Sequence, residues 1–344
     1  MQVVQFKKHG GPEVLELVDR PLPSPVPGEV LVRMLAVSVN HLDLWVRRGM
    51  PGVPCEFPFI PGCDGSGEIV ECGEGVTGLR PGDKVIVLPG ISSGQSQHDQ
   101  AGDDHLSADY HLRGEHVDGL GREFVALEER FVQKLPEGLD PVQAAALPLV
   151  FVTAWGALVG RAKLQAGESV LILGGSSGVG SAGIQVARDL GARVISTAGT
   201  EEKRAFAKSF GADEVLDHHD PDWPKKVKAL TDGRGVDVVF EHIGPATWKG
   251  SMRSLARLGR LVTCGGTTGP EVSLLLPHLF MKNLSVLGST MGPGGAYPEI
   301  LAKVASGAYR PAVSRVMPLS EVQLAHRRLE MGDVLGKIVL VPGS

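Results

Sequence analysis

Residues 168–191 read ESVLILGGSSGVGSAGIQVARDLG, and the fold turns on them. ESVLILGG (168–175) is a β-branched, nearly all-apolar run of the kind a parallel strand buried on both faces requires. GVGSAGIQVARDLG (178–191) follows with Ile184, Val186, Ala187 and Leu190 at helical spacing. Between them lies GGSSGVG (174–180), whose small residues let a backbone approach a pyrophosphate. The phosphate charge is then met by free N–H groups and the positive end of the following helix. Gly175, Ser177 and Gly180 occupy the three positions of a G-x-G-x-x-G-type turn, the middle one departing to Ser. Gly178 adds room, and Ser176 and Val179 complete the loop. A lone turn of this kind equally suits a Gly-rich bend with no ligand, so its context decides.

Downstream the same grammar repeats. ARVISTA, DEVLD, VDVVFEHI, RLVTCGG and SVLGS read as strands, separated by the helical stretches EEKRAFAKSFG, WPKKVKALTDG, TWKGSMRSLARLG and LPHLFMKN. Six strands with five crossovers predict an α/β Rossmann domain, a doubly wound six-stranded parallel sheet over residues 151–289. The first 150 residues differ, with short strands between Gly/Pro turns and few helices before DPVQAAALPLVFVTAWGALV near 140–159. They predict an antiparallel, β-barrel-like domain. The segment 290–344, two amphipathic helices and a last strand GKIVLVPGS, is expected to rejoin it, because the six-strand unit is already complete.

The bulk composition removes several function classes. Net charge is −5, and no Lys/Arg cluster exceeds a pair such as Lys225-Lys226, so neither nucleic acid nor an anionic membrane is an expected partner. The absence of a long apolar run or a signal-peptide layout predicts a cytoplasmic protein. Four cysteines (Cys55, Cys63, Cys72, Cys264) without a C-x-x-C pair form neither a disulfide framework nor a thiolate zinc cluster.

The choice of dinucleotide depends on the end of the second strand. NAD binders usually place a carboxylate there for the ribose 2′-OH, whereas this chain has Ala198, Gly199 and Thr200. Lys203 and Arg204, one turn into the next helix, could meet a 2′-phosphate, so NADPH is favoured. NADH is not excluded, because Glu201 or Glu202 could reach the ribose and helix-start acids are common for dipole reasons.

With these features placed, the chain resembles the medium-chain dehydrogenase/reductase superfamily, in its quinone oxidoreductase-like subgroup within the zinc-type alcohol dehydrogenases. The likeness runs through GGPEVLEL, NHLDLWVRRG (40–49), PGCDGSGEIVECGEGV (61–76), RPGDKV (80–85), AAALPLVFVTAWGAL (144–158), GADEVLD (211–217), GRLVTCGG (259–266) and GKIVL (336–340). It implies a GroES-like N-terminal domain completed by the C-terminal tail. It also carries cofactor contacts over to Thr153, Gly244, Cys264, Gly265, Gly266, Thr267, Ser289, Thr290 and Met291. A homodimer or dimer of dimers joined through SVLGS is a further expectation from the family.

The resemblance also shows departures. Where zinc-dependent members carry catalytic ligands, this chain has Asn40, Cys63 and Leu149, and Leu149 cannot ligate. No zinc is expected, although a rebuilt set of Cys63, Asp64 and Asp43 remains the alternative, with Cys63 otherwise a small buried residue. The family's hydroxyl relay is replaced by Leu42 and Trp45. Without a metal, several kcal/mol of charge stabilisation must come from elsewhere, so acceptors that delocalise charge themselves are favoured. The expected activity is therefore zinc-independent NAD(P)H-dependent hydride transfer to a quinone, enone or activated carbonyl. Asn40 is expected to donate to the substrate oxygen, Asp43 to support it, and Trp45 to form an apolar wall. Rival readings are an alcohol or aldehyde dehydrogenase and a non-catalytic nucleotide-binding protein. Of the histidines, His242 is placed near the cofactor by position only.

One stretch stands apart. ISSGQSQHDQAGDDHLSADYHLRGEHVDG (91–119) is long, polar and without a strand or helix period. The family's structural-zinc spacing falls on Ser93, Ser96, Asp99 and Ser107, so the expected reading is a zinc lobe without its thiolates, while binding through His98, Asp99 and His105 remains the alternative.

Overall fold

A computed structural model describes residues 1–343. The chain divides into two compact units. One comprises Met1–Leu149, Tyr297–Ala305 and the residues from Pro311 onward, and the other Val150–Ala296 with Ser306–Arg310.

The second unit holds six parallel strands in the order Glu214–Leu216, Arg193–Thr197, Ser169–Ile172, Val236–Glu241, Leu255–Thr263, Ser285–Gly288. Numbered along the chain this is 3-2-1-4-5-6, the Rossmann order, whose reversal beside the first strand opens the ligand crevice. Ser169–Ile172 is buried at every position, which explains why its sequence does not alternate. Leu171, Ile195 and Val239 of the sheet pack with Trp223 and Trp248 of two crossover helices.

The first unit is a seven-stranded sheet ordered Val313–Pro318, Lys337–Val341, Glu29–Ser38, Asp64–Cys72, Lys84–Val87, Val132–Lys134, with Phe124–Glu128 also paired to Glu29–Ser38. Only Val313–Pro318 and Lys337–Val341 run parallel. The central strand Glu29–Ser38 therefore has the C-terminal strand on one side, with Val339 opposite Ser38, and Asp64–Cys72 on the other, with Asp64 opposite Ser38. That register brings together three segments far apart in sequence.

Two local expectations differ from the structure. The helical stretch near 140–159 is broken into Pro141–Ala144 and Pro148–Trp155, then a π-turn over Gly156–Arg161. Pro148 has no N–H to continue the first helix. The lobe 91–119 contains a short helix Gln97–Gln100, a 3-10 turn Asp104–Leu106 and a two-residue ladder between Gly90–Ile91 and His111–Leu112. Those elements are too short to show a period. Among the described residues, no helix is long and apolar enough to cross a membrane.

Candidate active site

Asn40 lies two residues beyond the end of the central strand and caps helix His41–Arg48. Its backbone N–H donates to Asp43 Oδ2 (2.7 Å), and Asp43 Oδ1 accepts from Gly62 N–H (3.1 Å). Asp43 thus pins the strand-to-helix turn to the segment leading into Cys63. Burial pushes the Asp43 carboxyl up to about 6, against the opposing pull of the Asn40 N–H.

The Asn40 side chain turns inward. Nδ2 donates to Asp64 Oδ2 (2.9 Å) and to Cys63 Sγ (3.2 Å), and Oδ1 accepts from Lys337 Nζ. Lys337 Nζ also donates to Asp64 Oδ2 (3.1 Å), while Asp64 Oδ1 accepts from the Leu149 backbone N–H (2.8 Å). Asp64 is fully buried and the Lys337 side chain is 4% exposed. Burial, with Asp43 and Asp64 beside it, raises the Cys63 thiol well above its ordinary value and keeps it protonated. Trp45, on the following helix turn, is half-buried.

Sequence reasoning assembled Asn40, Asp43, Cys63 and Asp64 but missed Lys337. The available signal was the Lys of GKIVL, a charged residue opening an otherwise apolar strand. The donor role expected for Asn40 meets a geometric obstacle, because its amide hydrogens are already given to Asp64 and Cys63.

In the lobe, Ser96, Asp99 and Ser107 come together. The hydroxyls of Ser96 and Ser107 are hydrogen-bonded, Ser96 Oγ accepts from Asp99 N–H (3.1 Å), and Asp99 Oδ2 accepts from Ser96 N–H (2.9 Å). The Asp99 carboxyl is lowered to about 2, chiefly by the Ser92 hydroxyl. Ser93 bonds elsewhere, its Oγ accepting from Gln95 N–H and its N–H reaching Asp109. Among the described residues, no group of three or more His, Cys, Asp or Glu is arranged to hold a metal.

The second unit carries the Gly-rich turn. Ser177 caps helix Gly178–Asp189, its Oγ accepting from Gly180 N–H (3.0 Å), which leaves the Gly178 and Val179 donors at the helix start. A Cβ on Gly175 would sit 2.2 Å from Ser196 Oγ, and one on Gly180 would sit 2.2 Å from the Gly174 carbonyl oxygen. Only glycine permits this packing of turn, sheet and helix. The turn therefore fits a dinucleotide phosphate.

At the end of the second strand, Thr200 caps helix Glu201–Ser209. Lys203 and Arg204 are half-buried, Glu201 and Glu202 exposed. Arg204 pairs with Asp217 (3.4 Å), and a Cβ on Gly199 would lie 2.5 Å from His219 and 3.0 Å from His218. The His218-His219 pair, which the sequence reading passed over, thus packs against this strand end, with burial lowering the His218 proton affinity.

The remaining predicted contacts follow strand ends. Glu241 closes the fourth strand, its buried carboxylate accepting from the N–H groups of Ile243 (2.8 Å) and Gly244 (3.1 Å) and from the Thr247 and Ser251 hydroxyls. It holds Gly244 at φ 93°, where a Cβ would lie 3.2 Å from Gly266 Cα. Cys264 and Gly265 lie half-buried with Gly266 after the fifth strand, and Thr267 donates to the His242 carbonyl (3.1 Å). Burial pushes the Cys264 thiol up to about 12, which leaves it a poor nucleophile. After the sixth strand, Ser289 N–H bonds the Thr263 carbonyl (2.9 Å), Thr290 is exposed, and Met291 Sδ accepts from Thr153 Oγ1 (3.7 Å). The structure thus joins Thr153 to the loop holding Met291.

A phosphate-fitting turn on a 3-2-1-4-5-6 sheet, with a GroES-like unit beside it in the chain, defines an NAD(P)-dependent oxidoreductase. Residues 26–137 match the alcohol dehydrogenase GroES-like domain, and residues 178–306 the zinc-binding dehydrogenase domain. Quinone oxidoreductases of Homo sapiens and Pseudomonas aeruginosa are 30% and 32% identical to this chain. The first alignment covers 99% of this chain and 98% of the relative, the second 98% and 99%. The solved structure of an NAD-dependent alcohol dehydrogenase is 43% identical, superposes with a TM-score of 0.96, and is matched over 100% of both chains. The chain belongs to the medium-chain dehydrogenase/reductase superfamily, as a quinone oxidoreductase-like member.

Proposed function

We propose that this enzyme is a zinc-independent, NADPH-preferring reductase that passes hydride to a quinone, an enone or a comparably activated carbonyl. The observation that carries the reading is the buried Lys337–Asp64–Asn40 network. A catalytic zinc needs three N, S or O ligands and an open position. Here the candidates are a neutral amide, a protonated thiol and a carboxylate already bonded to an ammonium and two N–H groups. That donor set does not fit zinc, and no step is derived through one.

The reduced nicotinamide, when bound, supplies the hydride. The chain's own part is to hold the acceptor and balance its charge. Lys337 contributes the positive charge of the network, Asn40 and Asp64 fix its position, and Trp45 offers an apolar wall. Asn40 is thereby a positioning residue in this proposal rather than the direct donor expected from sequence. Acceptors that spread the incoming charge suit such a site because they demand less local stabilisation. The alcohol dehydrogenase reading is kept because the 43% identical structure bears that name. Metal analysis with a quinone, enone and alcohol panel separates the two. The proposal expects quinone or enone turnover without stoichiometric zinc, and one equivalent of tightly bound zinc with turnover of simple alcohols sinks it.

The cofactor preference rests on half-buried Lys203 and Arg204 against exposed Glu201 and Glu202. Replacing Lys203 and Arg204 by Ala is expected to cut kcat/KM with NADPH about tenfold to a hundredfold, the scale of lost hydrogen bonds to a charged group. NADH use should change far less. Equal loss for both, or a wild-type kcat/KM higher with NADH, contradicts the preference.

The homodimer expected from the family finds support in the edge strand Ser285–Gly288 and in the exposed Leu276, Phe280 and Met281 of the preceding helix. An open edge can pair with its own copy across a two-fold axis. Sedimentation at micromolar concentration should give at least a dimer, and Phe280→Glu with Met281→Glu should shift it toward monomer. A monomeric wild type refutes this assembly.

A further inference from the structure

His242 follows the last residue of the fourth strand and is 8% exposed. Its Nε2 is buried and has no hydrogen-bond partner among the described residues. A buried polar atom left unpaired is costly and asks for an explanation. The ring stands beside the Gly-rich turn: a Cβ on Gly174 would lie 3.2 Å from His242 Cε1 and 3.8 Å from Nε2. Phe240 packs against it edge-on, with ring centroids 5.7 Å apart.

The surroundings select the ring's chemistry. Burial lowers its proton affinity, outweighing the Glu241 carboxylate and the backbone groups of Leu173 and His242, so the imidazole is neutral. A neutral ring that carries its proton on Nδ1 presents a lone pair at Nε2. That lone pair repels phosphate and accepts from a hydroxyl. In the 3-2-1-4-5-6 order, the end of the second strand serves the adenosine ribose and the first turn serves the pyrophosphate. The fourth strand lies on the opposite side of the first, toward the nicotinamide half.

We infer that His242 Nε2 is a cofactor-binding acceptor that takes a hydrogen bond from a ribose hydroxyl on the nicotinamide half of the dinucleotide. This rests on the nicotinamide-cofactor reading and adds a contact to it. Thr267, which donates through Oγ1 to the His242 carbonyl, ties the loop after the fifth strand to the same residue. Cofactor binding then satisfies the orphan atom, and the folded protein carries its cost until the ligand arrives.

The test is equilibrium binding rather than turnover. Calorimetric titration of wild type, His242→Phe and His242→Gln with NADPH and with adenosine 2′,5′-bisphosphate separates the two halves of the cofactor. His242→Phe should weaken NADPH roughly threefold to tenfold, the scale of one neutral hydrogen bond. It should leave adenosine 2′,5′-bisphosphate unchanged, and that unchanged binding also reports a folded domain. His242→Gln, which keeps an acceptor, should recover part of the loss. Unchanged NADPH affinity in His242→Phe, or equal loss for both ligands, overturns the assignment. A wild type that binds neither NADPH nor NADH overturns the cofactor reading itself, and this contact with it.

Discussion

Replacing Lys337 with Met is expected to lower the stability of the GroES-like unit by about 3–5 kcal/mol, because it strands a buried carboxylate without its partner. The Asp64–Lys337 pair is almost wholly removed from solvent, so screening discounts little of the effect. Asp64 would keep two neutral donors, Leu149 N–H and Asn40 Nδ2, and lose the ammonium that pairs with it. Urea denaturation of the single and double variants measures this. Asp64→Asn combined with Lys337→Met should recover much of the loss, since no isolated charge remains buried. Activity should fall in both, because the double variant restores packing and leaves the network without its positive charge. A Lys337→Met variant as stable as wild type would show that the ion pair is not what holds these three strands together, and would remove the main support for the metal-free reading.

The second large effect is expected at Gly180. An added methyl would meet the Gly174 carbonyl oxygen at 2.2 Å and Gly175 Cα at 2.9 Å, distances real side chains do not reach. Both obstacles are backbone, so helix Gly178–Asp189 must shift away from the turn. Overpacking of this kind costs about 1–3 kcal/mol. Moving the helix start by the order of an ångström from the phosphate should cost on the order of a hundredfold in kcat/KM. Gly180→Ala should therefore lose NADPH binding by calorimetry while remaining folded by circular dichroism. Near-wild-type affinity would mean that the turn gives way elsewhere and does not set the cofactor's position. The neighbouring Val179, half-buried at the same helix start, is a suitable control, since Val179→Ala removes volume without a clash.

What was legible in the sequence has local causes. The apolar run 170–173, the Gly-rich turn and the helix after it are determined by residues within a few positions of one another, and the six-strand alternation repeats that logic. The cap that Asn40 and Asp43 form has an equally local cause, because the two belong to one helix start, although they were singled out from sequence for their expected part at the substrate. The break at Pro148 and the small helix at Ser96 were also written locally, as a proline and as S-x-x-D, but each is too short to compete with periodicity as a signal.

The centre of the candidate site was decided by tertiary structure. Lys337 is separated from Asn40 by 297 positions and from Asp64 by 273. They meet because the C-terminal strand pairs on one edge of Glu29–Ser38 and Asp64–Cys72 pairs on the other. No spacing rule reaches across that distance, so the sequence alone left Asn40 with free donors and Cys63 with open neighbours. Sheet register then spent those donors and filled the space with an ammonium. The orphaned Nε2 of His242 has the same origin, since whether a buried atom finds a partner depends on the groups that folding brings around it.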